Sequence, residues 1–280
     1  MAMVACFLLV NRIDFINFTV SLYINMKKII RAIFNNTGIY IGKRPTYKGK
    51  ANFSVDGLHY GFSFPSANYA PWLGDIAFLN IYRQIKNNTL VDIYRCYELW
   101  QLVTRIASEH HNAAILEVGV WRGGTAGIMA QQLAVLKSKA PIYLADTFTG
   151  VAKAGKKDNF YSGGEHNDTS QQIVEDLLQQ KSQYPNYKIL KGIFPDETAH
   201  LIPKDETFGI CHIDVDVYDS AKDVLEWVWD KLVTGGVVVF DDYGFHSCTG
   251  VTRLVEEYRN HPDRMIIHNL NGHALMIKLK

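Results

Sequence analysis

The sequence predicts an α/β protein whose doubly wound, mostly parallel, seven-stranded sheet is closed by a C-terminal antiparallel hairpin and preceded by an N-terminal arm. Short β-branched runs alternate with helical stretches from residue 114 onward, which is typical of a parallel sheet covered by helices. These runs are apolar throughout, as expected for strands that are buried on both faces. The turn Asn269-Leu270-Asn271-Gly272 lies between the last two runs, and a short Asn/Gly turn favours an antiparallel hairpin.

The individual elements follow from hydrophobic periodicity and from the turn residues between the periodic segments. The predicted helices cover residues 75–81, 90–106, 125–136, 170–180, 221–232 and 250–260. The predicted strands cover residues 114–118, 141–145, 187–190, 209–213, 236–240, 265–268 and 274–278. A parallel sheet closed by one antiparallel hairpin is the architecture of the Rossmann-like class I methyltransferases, which use S-adenosylmethionine, and it distinguishes them from nicotinamide dehydrogenases.

Two of the predicted strands end in acidic clusters. Asp214 and Asp216 follow one buried run, and Asp241 and Asp242 follow another. Ligands of open parallel sheets bind beyond the carboxyl ends of the strands, so we expect Asp214, Asp241 and Asp242 to face one crevice. Carboxylates that are packed together repel each other, and oxygen-only ligands suit Mg²⁺. The pattern therefore predicts a metal site.

The role of Asp216 has two interpretations. An Asp that follows a strand is often a turn residue or a helix N-cap, and Asp216 with Ser220 is suited to cap a helix that starts near Ala221. In an extended chain, however, Asp216 falls on the same side as Asp214. A carboxylate in that position, within hydrogen-bond reach of an acceptor hydroxyl, can remove its proton.

A glycine-rich turn follows the predicted strand at residues 114–118. Gly119 and Gly123 let a ligand approach the backbone where a Cβ atom would clash. The spacing differs from the GxGxxG pattern that binds a pyrophosphate, and Glu117 within the motif favours a cationic or amino-bearing ligand. Asp146 ends the next predicted strand, where a carboxylate can accept both hydroxyls of a ribose.

The N-terminal part of the chain is less regular. Two apolar runs within residues 1–25 are interrupted by Asn11, Arg12 and Asp14, so they form neither a clean transmembrane span nor a secretory signal. Either Met26 is the true start, or the segment packs on the body, on a partner subunit or on a membrane surface. We expect residues 1–42 to be an extension, residues 43–110 to cover the active site, and residues 111–280 to form the catalytic domain.

Two irregular segments are candidates for contact with a substrate. Residues 43–75 are rich in Gly, Pro and aromatic residues without a sustained period, which predicts a loop-rich arm. Its aromatic side chains, such as Tyr60 and Trp72, either line a pocket or hold the arm against the core. Residues 150–170 are predicted to form a mobile lid, with Phe160 and Tyr161 as contacts.

The composition limits the function classes. The formal net charge is +1 over 280 residues, which argues against a nucleic-acid-binding surface spread over the whole protein. The four cysteines are widely spaced and form no CxxC pair, which favours a reducing compartment over a disulfide framework or a zinc site. We therefore expect a cytoplasmic location, and the aromatic arm favours assembly into a homo-oligomer.

Several motifs together resemble the macrocin O-methyltransferase (TylF-like) family, which methylates hydroxyls on sugars and on other parts of natural products. The resemblance spans about residues 70–245. It rests on residues 89–92 with Arg95, 117–124, 146–151, 192–196, 212–220 and 235–244. The double Asp at the end of the last motif is its most specific feature.

The resemblance implies transfer of a methyl group from S-adenosylmethionine to a hydroxyl of a small acceptor, with Mg²⁺ bound at the site. Asp214, Asp241 and Asp242 match the metal ligands, and Asp216 matches the general base. The residues implied to bind S-adenosylmethionine are Glu117, Gly119, Val120, Arg122, Gly123, Asp146, Thr147, Gly192, Ile193 and Asp214.

Two other functions stay open at this point. A catechol-type O-methyltransferase also uses a metal and strand-end acids. That group, however, usually has Asp-Asn where this chain has Asp241-Asp242, and the N-terminal arm of this chain is longer than that of the group. A non-catalytic binding or scaffold protein could keep the fold, although it would have no physical reason to keep repelling carboxylates together. We expect acceptor specificity to reside in the arm and in the lid.

Overall fold

A seven-stranded sheet forms the centre of the computed structural model, which describes residues 52–61, 63 and 69–280. Within these residues the strand order is β5-β4-β3-β6-β7-β9-β8. The strands are β3 (Ala114–Val118), β4 (Ile142–Asp146), β5 (Tyr187–Lys191), β6 (Phe208–Ile213), β7 (Leu232–Phe240), β8 (Arg264–His268) and β9 (Ala274–Lys278), and a separate hairpin is formed by β1 (Asn52–Val55) and β2 (Leu58–Gly61).

The helices connect and cover these strands. They are α1 (Ile76–Ile85), α2 (Ile93–Glu109), α3 (Gly124–Val135), α4 (Gln171–Leu177), α5 (Tyr218–Trp229) and α6 (Thr249–Glu257). One apolar core lies on each face of the sheet. Phe78, Trp100 and Ile128 belong to the first core, and Phe208, Val224 and Leu254 belong to the second. This two-layer covering explains why β3 and β6 are buried along their whole length.

The predicted closing hairpin is confirmed. β9 pairs antiparallel with β7 and with β8, whereas β3, β4, β5, β6 and β7 pair in parallel. Phe240 at the end of β7 lies opposite Ala274 at the start of β9. The residues just before β9 therefore lie at the same sheet edge as the carboxyl ends of the parallel strands.

Two element boundaries differ from the sequence prediction for identifiable reasons. β7 begins at Leu232, although the predicted strand began at residue 236 and the predicted helix before it extended to residue 232. Gly235 has φ +82, and the pairing register shifts between Phe208 and Ile210 on the neighbouring strand, so the glycines mark an irregularity inside the strand. α5 begins at Tyr218, one turn before the predicted start near Ala221.

The arm is more ordered than the sequence suggested. Residues 52–61 form the β1–β2 hairpin, with Asp56 and Gly57 at φ 52 and 81 in its turn. An Asp-Gly pair with positive φ at both positions is a strong hairpin signal, which the prediction of a loop-rich segment overlooked. Tyr60 packs against His246, and Trp72 packs against Tyr94. For these two aromatic residues, the structure supports the interpretation that they hold the arm against the core.

The helices predicted to cover the site are part of the main body. Residues Phe53–Lys280 form one compact unit, and the apolar face of α2 belongs to the same core as β3 and α3. The predicted boundary at residue 110 therefore does not coincide with a break in the core. The predictions for residues 1–42 lie outside the described residues. Among the described helices, none has the length and apolar character to cross a membrane.

We predict that Phe208 is a main support of the second core. It is fully buried and packs edge-on against Tyr143 and Trp227. Phe208→Ala should lower the free energy of unfolding by about 3–5 kcal/mol, because it leaves a cavity that the sheet cannot fill. Phe160→Ala is the matched control, since Phe160 is 66% exposed. Its change should stay within about 0.5 kcal/mol, and equal losses in urea unfolding would contradict the assignment.

Candidate active site

A cavity of about 310 Å³ opens at the carboxyl ends of the central parallel strands. Here the strand order reverses between β3 and β6, which is where open α/β sheets bind their ligands. The residues singled out from the sequence that line this cavity are Gly119, Val120, Asp146, Thr147, Gly192, Ile193, Asp214, Asp216, Asp241 and Asp242. The fold thus brings the glycine turn and both acidic clusters to one place.

The glycine turn crosses directly over the end of β6. Gly119 has φ +90, and a Cβ atom at this position would lie 1.7 Å from the backbone oxygen of Asp214. Glycine is therefore required here by both conformation and space. The close approach places the start of the turn beside the first acidic cluster.

Asp146 fixes the shape of the same turn. Its Oδ2 accepts hydrogen bonds from the backbone N–H groups of Val120 and Trp121, both at 2.8 Å, and its Oδ1 accepts one from Phe148 at 2.6 Å. Burial raises the pKa of Asp146, and these backbone hydrogen bonds oppose the shift. The carboxylate ties β4 to the turn after β3 while it remains at the cavity wall, and its contact with a ribose stays a prediction.

Three residues implied to bind the cofactor do not line the cavity. Glu117 is fully buried behind it, and its Oε1 lies 2.9 Å from Nδ1 of His212. Arg122 binds Asp168, with 2.6 Å between Nη2 and Oδ2. Gly123 has φ +81 and approaches the side chain of Val174. The structure gives these residues contacts that support the turn instead of contacts with the cavity.

The two acidic clusters converge as the strand topology predicted. One carboxylate oxygen from each of Asp214, Asp241 and Asp242 can be chosen so that all lie within 4.8 Å of one another. Burial raises the pKa of Asp214 well above its usual range, and the charges of Asp241 and Asp242 raise it further. Burial likewise raises the pKa of Asp242, with contributions from Asp216 and Asp241. The negative charge at Asp214 and Asp242 is therefore poorly compensated by the protein.

Asp241 differs from its neighbours because cationic groups surround it. Arg95 forms a buried ion pair with its Oδ2. Its Oδ1 lies 2.8 Å from Nε2 of His273 and 3.5 Å from Nε2 of His212. Burial alone would raise the pKa of Asp241, but the contacts with His212, His273 and Arg95 outweigh it and hold the pKa well below its usual range.

Both histidines are held from behind by a glutamate. Nδ1 of His212 faces Glu117, and Nδ1 of His273 lies 2.5 Å from Oε2 of Glu98. Burial lowers the pKa of His212, but its contacts with Asp241 and Glu117 outweigh this effect and raise the pKa to about 10. The histidine nitrogens and Asp241 also have the spacing of metal ligands. We interpret them as a charge-compensating network, because each histidine faces the Asp241 carboxylate with one nitrogen and a glutamate with the other.

Asp216 reaches the cavity by a turn and not along an extended chain. β6 ends at Ile213, and Asp216 has φ 67, a conformation that is rare outside functional sites and tight turns. Its backbone N–H donates to Oδ2 of Asp242 at 2.7 Å. The prediction that it follows Asp214 on the same face of an extended segment was therefore wrong, although the two side chains do line the same cavity.

The helix-cap interpretation of Asp216 is also wrong. The backbone N–H of Tyr218, the first residue of α5, donates to Oδ1 of Asp158 at 2.9 Å. Asp158 belongs to the segment predicted as a lid, and Ser220 donates to the backbone oxygen of Ala152 in the same segment. The start of α5 is therefore stabilised by residues 151–170 and not by Asp216.

The same segment supplies the surroundings of Asp216. Tyr161 and His166 line the cavity, with Nε2 of His166 3.9 Å from Oδ2 of Asp216. Burial raises the pKa of Asp216, and the nearby Tyr161 hydroxyl, which lies 3.3 Å from Nε2 of His166, and the charge of His166 oppose the shift. Phe160, the other predicted contact, is 66% exposed and lies outside the cavity lining. The mobility of this segment stays a prediction.

Comparison with known proteins identifies the family. The macrocin O-methyltransferase (TylF) family matches residues 85–271 of this chain. The chain belongs to the macrocin O-methyltransferase family. The match includes Arg95, His212 and the four strand-end carboxylates, and it ends two residues before His273.

Individual relatives agree with this assignment. The 8-demethyl-8-(2,3-dimethoxy-alpha-L-rhamnosyl)-tetracenomycin-C 4'-O-methyltransferase of Streptomyces olivaceus is 27% identical over 61% of this chain and 67% of its own length. The demethyldecarbamoylnovobiocin O-methyltransferase of Streptomyces niveus is 27% identical over 61% of this chain and 68% of its own length. The structure of the O-methyltransferase NovP shares the fold, with a TM-score of 0.60 and 24% identity over 69% of this chain and 83% of that one. The family and these relatives support transfer of a methyl group to oxygen.

The sequence interpretation assigned no role to the residues that surround Asp241. A signal existed for Arg95, since it lies on the apolar face of α2 with Leu99 and Ile106 and is buried with them. A signal also existed for His212, because a titratable residue inside a fully buried strand needs a partner. For His273 there was none, because it lies outside the predicted strands, between the turn at residues 269–272 and the strand at residues 274–278.

We predict that Gly119→Ala destabilises the protein more than Gly164→Ala does. The two glycines have similar φ, +90 and +87, so an alanine is strained at either position, but a Cβ atom at Gly164 meets nothing within 4 Å. The shared conformational cost is about 1–2 kcal/mol. The clash with the Asp214 backbone should add about 1–3 kcal/mol at Gly119. Urea unfolding of both variants measures the difference, and equal losses would refute the close approach.

Proposed function

We propose that this protein is an S-adenosylmethionine- and Mg²⁺-dependent O-methyltransferase that acts on a hydroxyl of a sugar moiety or of another small hydroxylated metabolite. The observation that carries the proposal is the poorly compensated pair Asp214 and Asp242 beside the glycine turn, in a chain of the macrocin O-methyltransferase family. The names of two relatives, which describe methylation of a rhamnosyl tetracenomycin and of a novobiocin precursor, support the acceptor class.

The donor set fits a hard divalent cation. It consists of carboxylate oxygens only, which suit Mg²⁺, and their mutual repulsion is what raises the pKa of Asp214 and Asp242 beyond the effect of burial. Asp214 and Asp242 would hold the cation, and Asp241 would be the third ligand. When bound, a divalent cation lowers the pKa of an alcohol and fixes its orientation.

The part of the cavity at the glycine turn suits the methyl donor. Gly119, Val120, Asp146, Thr147 and Ile193 line it and would hold S-adenosylmethionine, whose sulfonium supplies the methyl group. The turn at Gly119 exposes backbone to the ligand. A positive sulfonium is also favoured near the negative charge of Asp214. Both arguments concern binding and orientation, which can lower the activation barrier for methyl transfer by several kcal/mol.

Asp216 is our candidate for the base. It lines the cavity beside Asp242, and one of its oxygens would take the proton of the acceptor hydroxyl as the hydroxyl oxygen receives the methyl group. Tyr161 and His166 would hold the Asp216 carboxylate in place. The segment at residues 151–170, tied to α5 through Asp158, would exclude water from the cavity. Assembly into a homo-oligomer stays a prediction.

We expect Asp242→Asn to weaken Mg²⁺ or Mn²⁺ binding, because it removes a charged ligand. The affinity for the metal should fall by more than roughly 10–100-fold, which is the typical loss when a residue that only contacts a metal ligand is mutated. Asp242 is a better target than Asp241, whose replacement would also leave Arg95 without its buried partner. Calorimetric titration in the presence of S-adenosylmethionine measures the effect. The exposed Asp230→Asn is the matched control and should bind both ligands normally.

The same titration separates the parts of the proposal. If the wild type binds S-adenosylmethionine but binds neither Mg²⁺ nor Mn²⁺, even with a glycosylated acceptor present, the metal site is wrong and the methyltransferase proposal stands. If the wild type does not bind S-adenosylmethionine, the enzymatic proposal fails as a whole. Chelation with EDTA should abolish methyl transfer, and added Mg²⁺ should restore it.

We expect Asp216→Asn to lower kcat by about 10²–10⁴-fold, the usual contribution of a general base. The affinities for S-adenosylmethionine and Mn²⁺ should stay close to those of the wild type, because Asp216 is assigned to neither ligand. Tyr161→Phe should have a smaller effect in the same direction, since it removes only the hydroxyl beside Asp216. Full activity of Asp216→Asn would exclude it as the base.

A further inference from the structure

The buried network around Asp241 extends away from the cavity to the closing hairpin. His273 precedes β9, and it contacts Oδ1 of Asp241 through Nε2 and Oε2 of Glu98 through Nδ1. Oε1 of Glu98 accepts a hydrogen bond from Nδ2 of Asn269 at 2.7 Å. Glu98 therefore holds both sides of the β8–β9 turn, at residues 269 and 273.

We propose that Glu98 and His273 are positioning residues that fix the Asp241 carboxylate and thereby set the affinity of the cation site. This inference rests on the proposed function, because it assumes a cation at Asp214, Asp241 and Asp242. It assigns Glu98 and His273 a role at that site although neither lines the cavity. Ordinary packing needs would be met by apolar residues at these positions.

The contacts leave the Asp241 carboxylate little freedom to rotate. Arg95 contacts Oδ2, and its Nη1 also donates to the backbone oxygen of Asp241 at 3.2 Å. His273, just before β9, contacts Oδ1. With one partner on each oxygen, the plane of the carboxylate is fixed before any cation binds. Outer partners of this kind orient metal ligands in other proteins and tune their affinity.

The burial of ionisable side chains in this network costs free energy, and this cost bears on the role of the network. The His273 side chain is fully buried and that of Glu98 is 19% exposed. Burying ionisable groups costs free energy even when they are paired, and apolar residues of similar volume are often as stable or more stable. Stability alone therefore does not account for Glu98, His273 and Arg95 behind Asp241, and ligand orientation is the function that their geometry supports.

The test uses Glu98→Gln, with Glu109→Gln as the matched control. Glu98→Gln keeps the shape and one acceptor oxygen but removes the charge that holds His273. Glu109 lies on the same helix and pairs with Arg105 at the surface, so the control removes an equal charge away from the site. Mn²⁺ binding to the full-length protein, followed by electron paramagnetic resonance, measures affinity without any turnover. We expect about tenfold or greater weakening for Glu98→Gln and no change for Glu109→Gln.

His273 variants distinguish positioning from a purely structural role. His273→Gln places an amide donor near the position of Nε2, so it should retain more Mn²⁺ affinity than His273→Leu. Affinity for S-adenosylmethionine should be the same for Glu98→Gln and Glu109→Gln, which shows that the cavity is intact in both variants. If Glu98→Gln binds Mn²⁺ as the wild type does, the inference is overturned while the proposed metal site stands. If the wild type binds no Mn²⁺ under any condition, the metal site and this inference fail together.

Discussion

The repulsion among buried carboxylates at the carboxyl edge of the sheet is the constraint on which the rest of the site depends. Parallel strands bring their ends to one edge, so Asp214 and the Asp241-Asp242 pair cannot avoid one another once β6 and β7 are paired. Each acid is largely removed from water, which makes its charged form costly. Folding thus makes the charged forms of these acids costly, and cationic protein groups, protonation or a bound cation can relieve that cost.

The cationic groups of the protein neutralise Asp241, whereas they compensate the charges of Asp214 and Asp242 poorly. Arg95, His212 and His273 all contact Asp241, and its pKa falls, whereas the pKa of Asp214 and of Asp242 rises. If every acid were compensated internally, a cation would gain little by binding. If none were, the folded state would carry the full cost of burying them. Under the proposed function, this division keeps one carboxylate ionised and oriented, while the other two would attract a cation.

The sequence was sufficient to predict the structural features that depend on a local or periodic pattern. The mostly parallel sheet with its antiparallel closing hairpin needed only alternation and a hairpin turn, and the shared position of the four acids needed only the rule that strand ends meet. Contacts that depend on tertiary geometry were out of reach. Glu117 lies in the predicted cofactor motif, yet its side chain turns to His212 on the next strand. Asp216 was expected along an extended chain, but its left-handed φ is set by the turn that returns its N–H to Asp242.

The closing hairpin explains how a residue near the C-terminus reaches the site. In a wholly parallel sheet, the residue that precedes a strand lies at the edge opposite the ligands. β9 runs antiparallel, so Ala274 pairs with Phe240 and His273 emerges at the ligand edge beside Asp241. Helix α2 contributes two residues, one turn apart, at the same place. Arg95 binds Oδ2 of Asp241, and Glu98 binds His273, which contacts Oδ1. The reversal of one strand therefore lets the C-terminal hairpin and the helix before β3 hold the same carboxylate from two directions.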